Sequence, residues 1–170
     1  MELLDGDVSS EAGISTMDAA VSSKELLKTI RVAALNFLAR REHSRVELAR
    51  KLLRRFGEHQ LVEQVLNRLV DEKLQSDERF TEAYVYHRLK AGFGPLRIIV
   101  ELRDKGVDSY CAESHIWRSS HDWHAVATEA RIKKFGRSEV TDLPVRAKQT
   151  RFLQYRGFMQ EHIDKAFAAD

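Results

Sequence analysis

The chain has 170 residues, 43% of them hydrophobic and 32% charged, with a formal net charge of +2. A single cysteine, Cys111, excludes an intrachain disulfide and fits a reducing compartment. No apolar run approaches the roughly 18 residues of a membrane span, and the N-terminus lacks the basic start and apolar core of a secretory signal, so a cytoplasmic protein without a membrane segment is expected.

The charge is unevenly placed. Residues 1–23 hold Glu2, Asp5, Asp7, Glu11 and Asp18 and no Lys or Arg, a balance of −5. The rest of the chain therefore carries +7, its 28 basic side chains facing 21 acidic ones. The leader offers too little apolar surface to offset ordering entropy and reads as a disordered acidic tail. A basic body of this kind attracts nucleic acid or another acidic surface.

From Leu26 to Arg41, apolar residues at 26, 27, 30, 34, 35, 37 and 38 describe an amphipathic helix. Ser44, with Glu47 three residues on, opens a second helix through a capping box; it buries Val46, Leu48, Ala49, Leu52 and Leu53 and ends at Phe56-Gly57. Leu61, Val62, Val65, Leu66, Leu69 and Val70 form a third. Asp77 is placed to cap a fourth, which carries Phe80, Tyr84 and Tyr86 into a loop with Gly92 and Gly94. Pro95 suits the first turn of the next helix, where its missing N–H would have had no partner, and Gly106 stops it. Asp108 or Ser109 starts a sixth helix that turns Cys111, Ala112 and Ile116 inward. Residues 117–122 read as a linker, Ala125 to Phe135 as an amphipathic helix closed by Gly136, and 137–143 as a polar loop. Pro144 then starts a helix to Gly157, and the last helix uses Phe158, Ile163 and Phe167.

The order contains a repeat with a period near 50 residues. Leu52-Leu-Arg-Arg-Phe-Gly57, Leu102-Arg-Asp-Lys-Gly106 and Leu153-Gln-Tyr-Arg-Gly157 each end a helix in a leucine, a basic residue and a glycine. An apolar pair four apart follows in each: Val62 and Leu66, Ala112 and Ile116, Ile163 and Phe167. A three-helix unit buries little surface alone, so such units stack. The fold expected is all-α: a disordered acidic N-terminal tail (1–23), then three tandem three-helix repeats (24–75, 76–119 and 120–170) forming an elongated, curved body. The alternative is one compact bundle with accidental similarity.

The stretches Arg40-Arg-Glu-His-Ser-Arg-Val-Glu-Leu-Ala-Arg-Lys-Leu52, Asp77-Glu-Arg-Phe-Thr-Glu82, Gly92-Phe-Gly-Pro-Leu-Arg-Ile98, Glu101-Leu-Arg-Asp-Lys-Gly-Val107 and Arg151-Phe-Leu-Gln-Tyr-Arg-Gly-Phe158 together resemble the RecX regulatory family. The resemblance covers residues from about Leu26 to Phe167. Phe56-Gly57 departs from it by reversing the family's usual glycine-then-apolar order. It implies a non-enzymatic, monomeric regulator of DNA repair whose partner is the RecA nucleoprotein filament. Such proteins lie in the groove of the RecA–single-stranded DNA filament and inhibit ATP hydrolysis, strand exchange and cleavage of the SOS repressor. The alternative function is sequence-independent DNA binding by helix-turn-helix-like units acting without RecA.

Candidate contacts to the filament, or directly to single-stranded DNA, are the basic clusters beside the helix ends. In the first repeat these are Arg40, Arg41, Arg45, Arg50, Arg54 and Arg55, with Arg50 and Arg54 one turn apart on a face away from Leu48 and Leu52. In the second they are Arg88, Lys90, Arg97, Arg103 and Lys105; in the third, Arg131, Lys133, Lys134, Lys148, Arg151 and Arg156. The other reading of these charges is a solvated helix surface that complements helix dipoles. Tyr86, Phe93 and Tyr155 are either core aromatics or stacking platforms.

Catalytic constellations are weak. Gly92-Phe-Gly-Pro lacks the Gly-Lys-Ser/Thr of a phosphate loop. His115, His121 and His124 lack a second cysteine or a carboxylate at ligand spacing, so no metal is expected, and no other cofactor either. Cys111 reads as a small core residue.

Overall fold

Nine helices account for all regular structure among the described residues, 11–118, 120–137 and 139–168, of this computed structural model. They are α1 (Glu11–Leu38), α2 (Arg45–Phe56), α3 (His59–Asp71), α4 (Asp77–Lys90), α5 (Pro95–Asp104), α6 (Ser109–Arg118), α7 (Trp123–Phe135), α8 (Leu143–Tyr155) and α9 (Gln160–Ala168). The grouping is the one read from the sequence: α1 packs on α3, α4 on α6 and α7 on α9, so that the first and third helices of each triplet pair. None of these helices is long and apolar enough to cross a membrane.

The expected acidic tail lies in part outside the described residues. From Glu11 onward its backbone forms the first turns of α1. A helix already nucleated by packed turns further along propagates at little cost through segments such as this one, which includes Ala12, Ala19 and Ala20.

Each triplet has its own core. In the first, Ile30, Ala34, Leu48, Leu52, Val62 and Leu66 are fully buried. In the second, Phe80, Ile98, Leu102, Val107, Ala112 and Ile116 pack together, and Trp123 from the start of α7 joins them. The third uses Ala127, Leu153, Phe158, Ile163 and Ala166. Burying one such large aliphatic side chain contributes about 1.5–3 kcal/mol. The apolar pairs of the repeat are core residues, with Phe167 only half-buried. Among the described residues, those up to Arg41 together with Leu48–Gln75 form one compact unit, and Glu42–Glu47 with those from Ser76 onward form another.

In its second and third copies the repeated leucine-to-glycine stretch is a helix stop with a defined pair of hydrogen bonds, whereas in the first Gly57 N–H donates to the Leu53 carbonyl (2.8 Å). At the end of α5, Gly106 N–H donates to the Arg103 carbonyl (2.8 Å) and Val107 N–H to the Leu102 carbonyl (3.0 Å). At the end of α8, Gly157 N–H donates to the Gln154 carbonyl (2.9 Å) and Phe158 N–H to the Leu153 carbonyl (3.2 Å). The pattern needs a left-handed residue at the glycine, with an apolar residue after it packing back on the leucine. Both glycines have positive φ (79° and 87°), and Leu102, Val107, Leu153 and Phe158 are all buried. The end of α3 repeats the geometry without a glycine. Lys73 takes φ 57°, donating to the Val70 carbonyl, while Leu74 N–H reaches the Leu69 carbonyl. A lysine gives no turn signal, so this stop is invisible in the sequence.

One of two caps differs from expectation. Ser44 caps α2 as expected: Glu47 N–H donates to its Oγ (3.0 Å), and the hydroxyl donates in turn to the Lys105 carbonyl (2.6 Å). For α4 the cap is Ser76, whose Oγ accepts from Arg79 N–H, whereas Asp77, expected in that role, accepts from Arg45 N–H at 2.7 Å. The long-range backbone donor takes the carboxylate, and the neighbouring serine replaces it at the helix end. Helix α6 continues through Trp117 and Arg118, which the sequence had suggested were linker.

In the second unit the α4–α5 loop and the α8 stop meet backbone to backbone. Gly94 N–H donates to the Arg156 carbonyl (2.8 Å), and Leu96 N–H to the Gly157 carbonyl (3.1 Å). A Cβ on Gly94 would lie 2.4 Å from the Gly157 carbonyl group, and one on Gly157 would lie 2.4 Å from the Arg97 backbone nitrogen.

Gly157→Ala is therefore expected to destabilise the protein by about 2–4 kcal/mol, from left-handed strain plus overpacking. Gly57→Ala also meets a positive φ (71°) but no atom within 4 Å, and should cost about 1–2 kcal/mol. Urea unfolding of the two variants measures the difference; equal losses would remove the backbone contact from the account.

His162, 3% exposed, accepts the Met159 N–H through Nδ1 (3.2 Å). Burial and then the neighbouring His124 lower its pKa. The folded chain thus binds fewer protons here than the unfolded chain, so this contribution is complete above the unfolded value of about 6.5 and is lost as pH falls below it. Melting temperature should drop as pH falls below about 6.5. The drop should be smaller in His162→Asn, whose amide oxygen accepts the same N–H without titrating.

Candidate partner-binding surface

The seventeen cations singled out by sequence do not behave as one class. Three of the four on α2 are exposed: Arg50, Arg54 and Arg55 project from the helix, with Arg50 and Arg54 one turn apart and away from buried Leu48 and Leu52. Arg54 and Arg55 occupy the last turn, where the helix dipole favours positive charge. Lys51 lies over the Phe37 ring at 4.8 Å and is half-buried. Arg40 and Arg41 follow α1 and are exposed; Arg45, in the other compact unit, is half-buried.

The central cations are mostly neutralised within the fold. Glu101 on α5 is the hub: its Oε1 accepts from Arg88 Nη2 (2.5 Å) and Arg97 Nε (2.9 Å), and its Oε2 from the Tyr84 hydroxyl (2.9 Å). Burial alone would push the Glu101 carboxyl up, but the hydrogen bonds from Arg97, Arg88 and Tyr84 outweigh it and hold the group below the ordinary carboxylate value. Burial, and then the bond to Glu101, push the Tyr84 phenol up to about 12. Lys105 pairs with Glu47 at 2.8 Å and lies over the Tyr84 ring, and Arg103 pairs with Glu113. Lys90 is exposed, with Tyr86 as its neighbour at 5.5 Å.

In the third triplet the outcome divides again. Arg131 is 0% exposed, lies over Phe167 and reaches Gln149, so it is a core residue and not part of a surface. Arg156 is a structural clamp: its Nη1 donates to the carbonyls of Ala91 (2.8 Å) and Gly92 (2.9 Å), and its guanidinium lies over Phe93 and Phe152. Burial, and then the charge of Arg88, lower its pKa. Lys133, Lys134, Lys148 and Arg151 are exposed. The sequence reading counts Arg131 in the basic surface cluster of the third repeat; the sequence carries no signal that Phe167 and Gln149 close over it.

Of the three aromatics held open between core and platform, Phe93 is half-buried beneath the guanidinium groups of Arg88 (3.6 Å) and Arg156 (4.9 Å). Tyr86 (57%) and Tyr155 (78%) are exposed, Tyr155 beside Arg97 at 5.6 Å. Cys111 is half-buried at the edge of the second core. His124 packs edge-on against His162 at 5.1 Å, with Lys165 Nζ 3.2 Å from its Nε2. No cluster of three or more potential metal ligands occurs among the described residues. The chemistry on offer is recognition by charge: exposed guanidinium and ammonium groups, with the exposed rings of Tyr86, Tyr110 and Tyr155.

Comparison with known proteins assigns these elements. Residues 31–69, 76–115 and 122–167 match the models of the first, second and third three-helix domains of RecX. The chain is 43% identical over 136 residues to the regulatory protein RecX of Pseudomonas entomophila, covering 80% of this chain and 88% of that one. It is 39% identical over 141 residues to the RecX of Pseudomonas fluorescens SBW25, covering 83% and 91%. The fold matches the crystal structure of RecX from Lactobacillus salivarius with a TM-score of 0.70 at 22% identity, covering 84% of this chain and 95% of that one. A second RecX crystal structure gives a TM-score of 0.76 at 18% identity, covering 100% and 81%. With three matched domains in order and close relatives over most of its length, the chain belongs to the RecX family of regulatory proteins.

Proposed function

We propose that this protein regulates the RecA recombinase by binding the groove of the RecA–single-stranded DNA filament. In this reading it restrains ATP hydrolysis, strand exchange and cleavage of the SOS repressor, and thereby modulates recombination and DNA repair. It acts in the cytoplasm as a monomer and without catalysis of its own. The observation that carries the reading is membership of the RecX family across all three domains. The exposed cations support it physically: a polyanionic filament attracts them at long range, giving fast, salt-sensitive association. Of the cations proposed from sequence, those suited to contact are the exposed ones: Arg40, Arg41, Arg50, Arg54, Arg55, Lys90, Lys133, Lys134, Lys148 and Arg151.

Titrating the protein into RecA on single-stranded DNA should slow ATP hydrolysis at stoichiometries well below one per RecA protomer. Tight binding to naked DNA, with no effect on RecA beyond competition for the lattice, would instead establish a DNA-binding protein that acts without RecA. Arg50→Glu with Arg54→Glu should raise the half-inhibitory concentration by about tenfold, because two exposed attractions become repulsions. An unchanged value would remove that face of α2 from the contact.

A further inference from the structure

The second unit holds a cavity of about 260 Å³ where the end of α4 faces α7. Its floor is apolar, made by Leu89, Val126 and Ala130, and its rim carries the ammonium groups of Lys90, Lys133 and Lys134. One carboxylate, Glu129, also lines it. Lys133 and Lys134 enter no ion pair among the described residues, and Lys90 has only the Tyr86 ring beside it. Elsewhere in this unit Arg88, Arg97, Arg103 and Lys105 are all neutralised by glutamates. Lys148 and Arg151 on α8 are likewise exposed and enter no ion pair among the described residues; what sets Lys90, Lys133 and Lys134 apart is that all three border one partly apolar hollow.

The lining selects among anionic partners. A nucleotide would want a ring to stack on, and no aromatic side chain lines the cavity. A phosphate driven onto the floor would lose water against alkyl groups. It would also face the carbonyl ends of α4 and α7, which carry the negative end of each helix dipole. Arg156, the one guanidinium present, already spends Nη1 on the Ala91 and Gly92 carbonyls. An apolar side chain, by contrast, gains from the floor, and carboxylates flanking it meet three lysines at the rim without being buried. Anchors of this kind, an apolar group in a pocket with charges around it, dominate protein–protein contacts.

We infer that this cavity is a docking site for an acidic protein segment carrying a single large apolar anchor, so that here the regulator grips protein and not DNA. The inference deepens the reading of the chain as a regulator of a protein–DNA filament and rests on it for the identity of the partner.

The test uses the full chain and a fluorescein-labelled synthetic peptide of glutamates around a central leucine. Fluorescence anisotropy should show binding about tenfold tighter than that of the same peptide with alanine at the centre. Binding should be lost in Lys133→Glu with Lys134→Glu, both exposed. It should also be lost in Ala91→Phe, which fills the cavity from an exposed position at the end of α4. Affinity for oligothymidylate should be unchanged in Ala91→Phe, which leaves every charge in place. A leucine peptide no tighter than the alanine one, or oligothymidylate affinity falling together with peptide affinity in Ala91→Phe, overturns the inference; the second result would make the cavity a phosphate site. If the variants inhibit RecA as well as the unaltered protein does, the cavity claim falls and the filament reading stands. If the peptide binds as expected but RecA hydrolyses ATP at its unrestrained rate, the docking site stands and the filament reading falls.

Discussion

The second compact unit depends on a contact that admits no side chain. Gly94 and Leu96 donate their backbone N–H groups to the carbonyls of Arg156 and Gly157, at a separation where a Cβ on either glycine would overlap the opposite backbone. Two peptide segments meet here as strands of a sheet would, in a protein whose described residues form only helices. The pairing satisfies orphan groups at the start of α5 and the end of α8 at once, and buried backbone donors without partners are costly. Arg156 strengthens the joint by clamping the carbonyls at the end of α4, with Phe93 and Phe152 beneath its guanidinium. The second and third triplets are therefore one unit, although the sequence presents them as equivalent repeats.

Charge is managed by the same economy. A body of net +7 gathers its central cations around a half-buried glutamate, Glu101, and a few partners such as Glu47 and Glu113. A carboxylate held by two guanidinium groups and a phenol fixes α4 against α5 more than it advertises charge. The cations left exposed, on α2 and around α7 and α8, are then the ones with electrostatic reach. A count of basic residues overstates the binding surface because it cannot separate these two uses.

The repeat gains its meaning from the helix stop. Leucine, two residues, a basic residue and glycine is a sequence description; in the second and third copies two backbone hydrogen bonds closing over a buried leucine are its physical content. Lys73 shows the limit of the sequence description, since it adopts the same left-handed turn with no glycine to mark it. Asp77 shows another: its place ahead of α4 suggested a cap, and a distant N–H from Arg45 claimed the carboxylate.

The sequence by itself determined the helical class, the three triplets, most helix ends and the core positions. Those follow from period, caps and stops acting over a few residues, and the motifs in order carried the RecX family with them. Only the tertiary structure decided which cations are surface. Arg131 is sealed beneath Phe167, Arg156 serves carbonyls sixty-odd residues away, and Lys90 comes together with Lys133 and Lys134 around one cavity. The physical reason is range. Helix and turn signals are local, whereas whether a charge meets water, a glutamate or a phenylalanine is settled by residues distant in sequence that packing brings beside it.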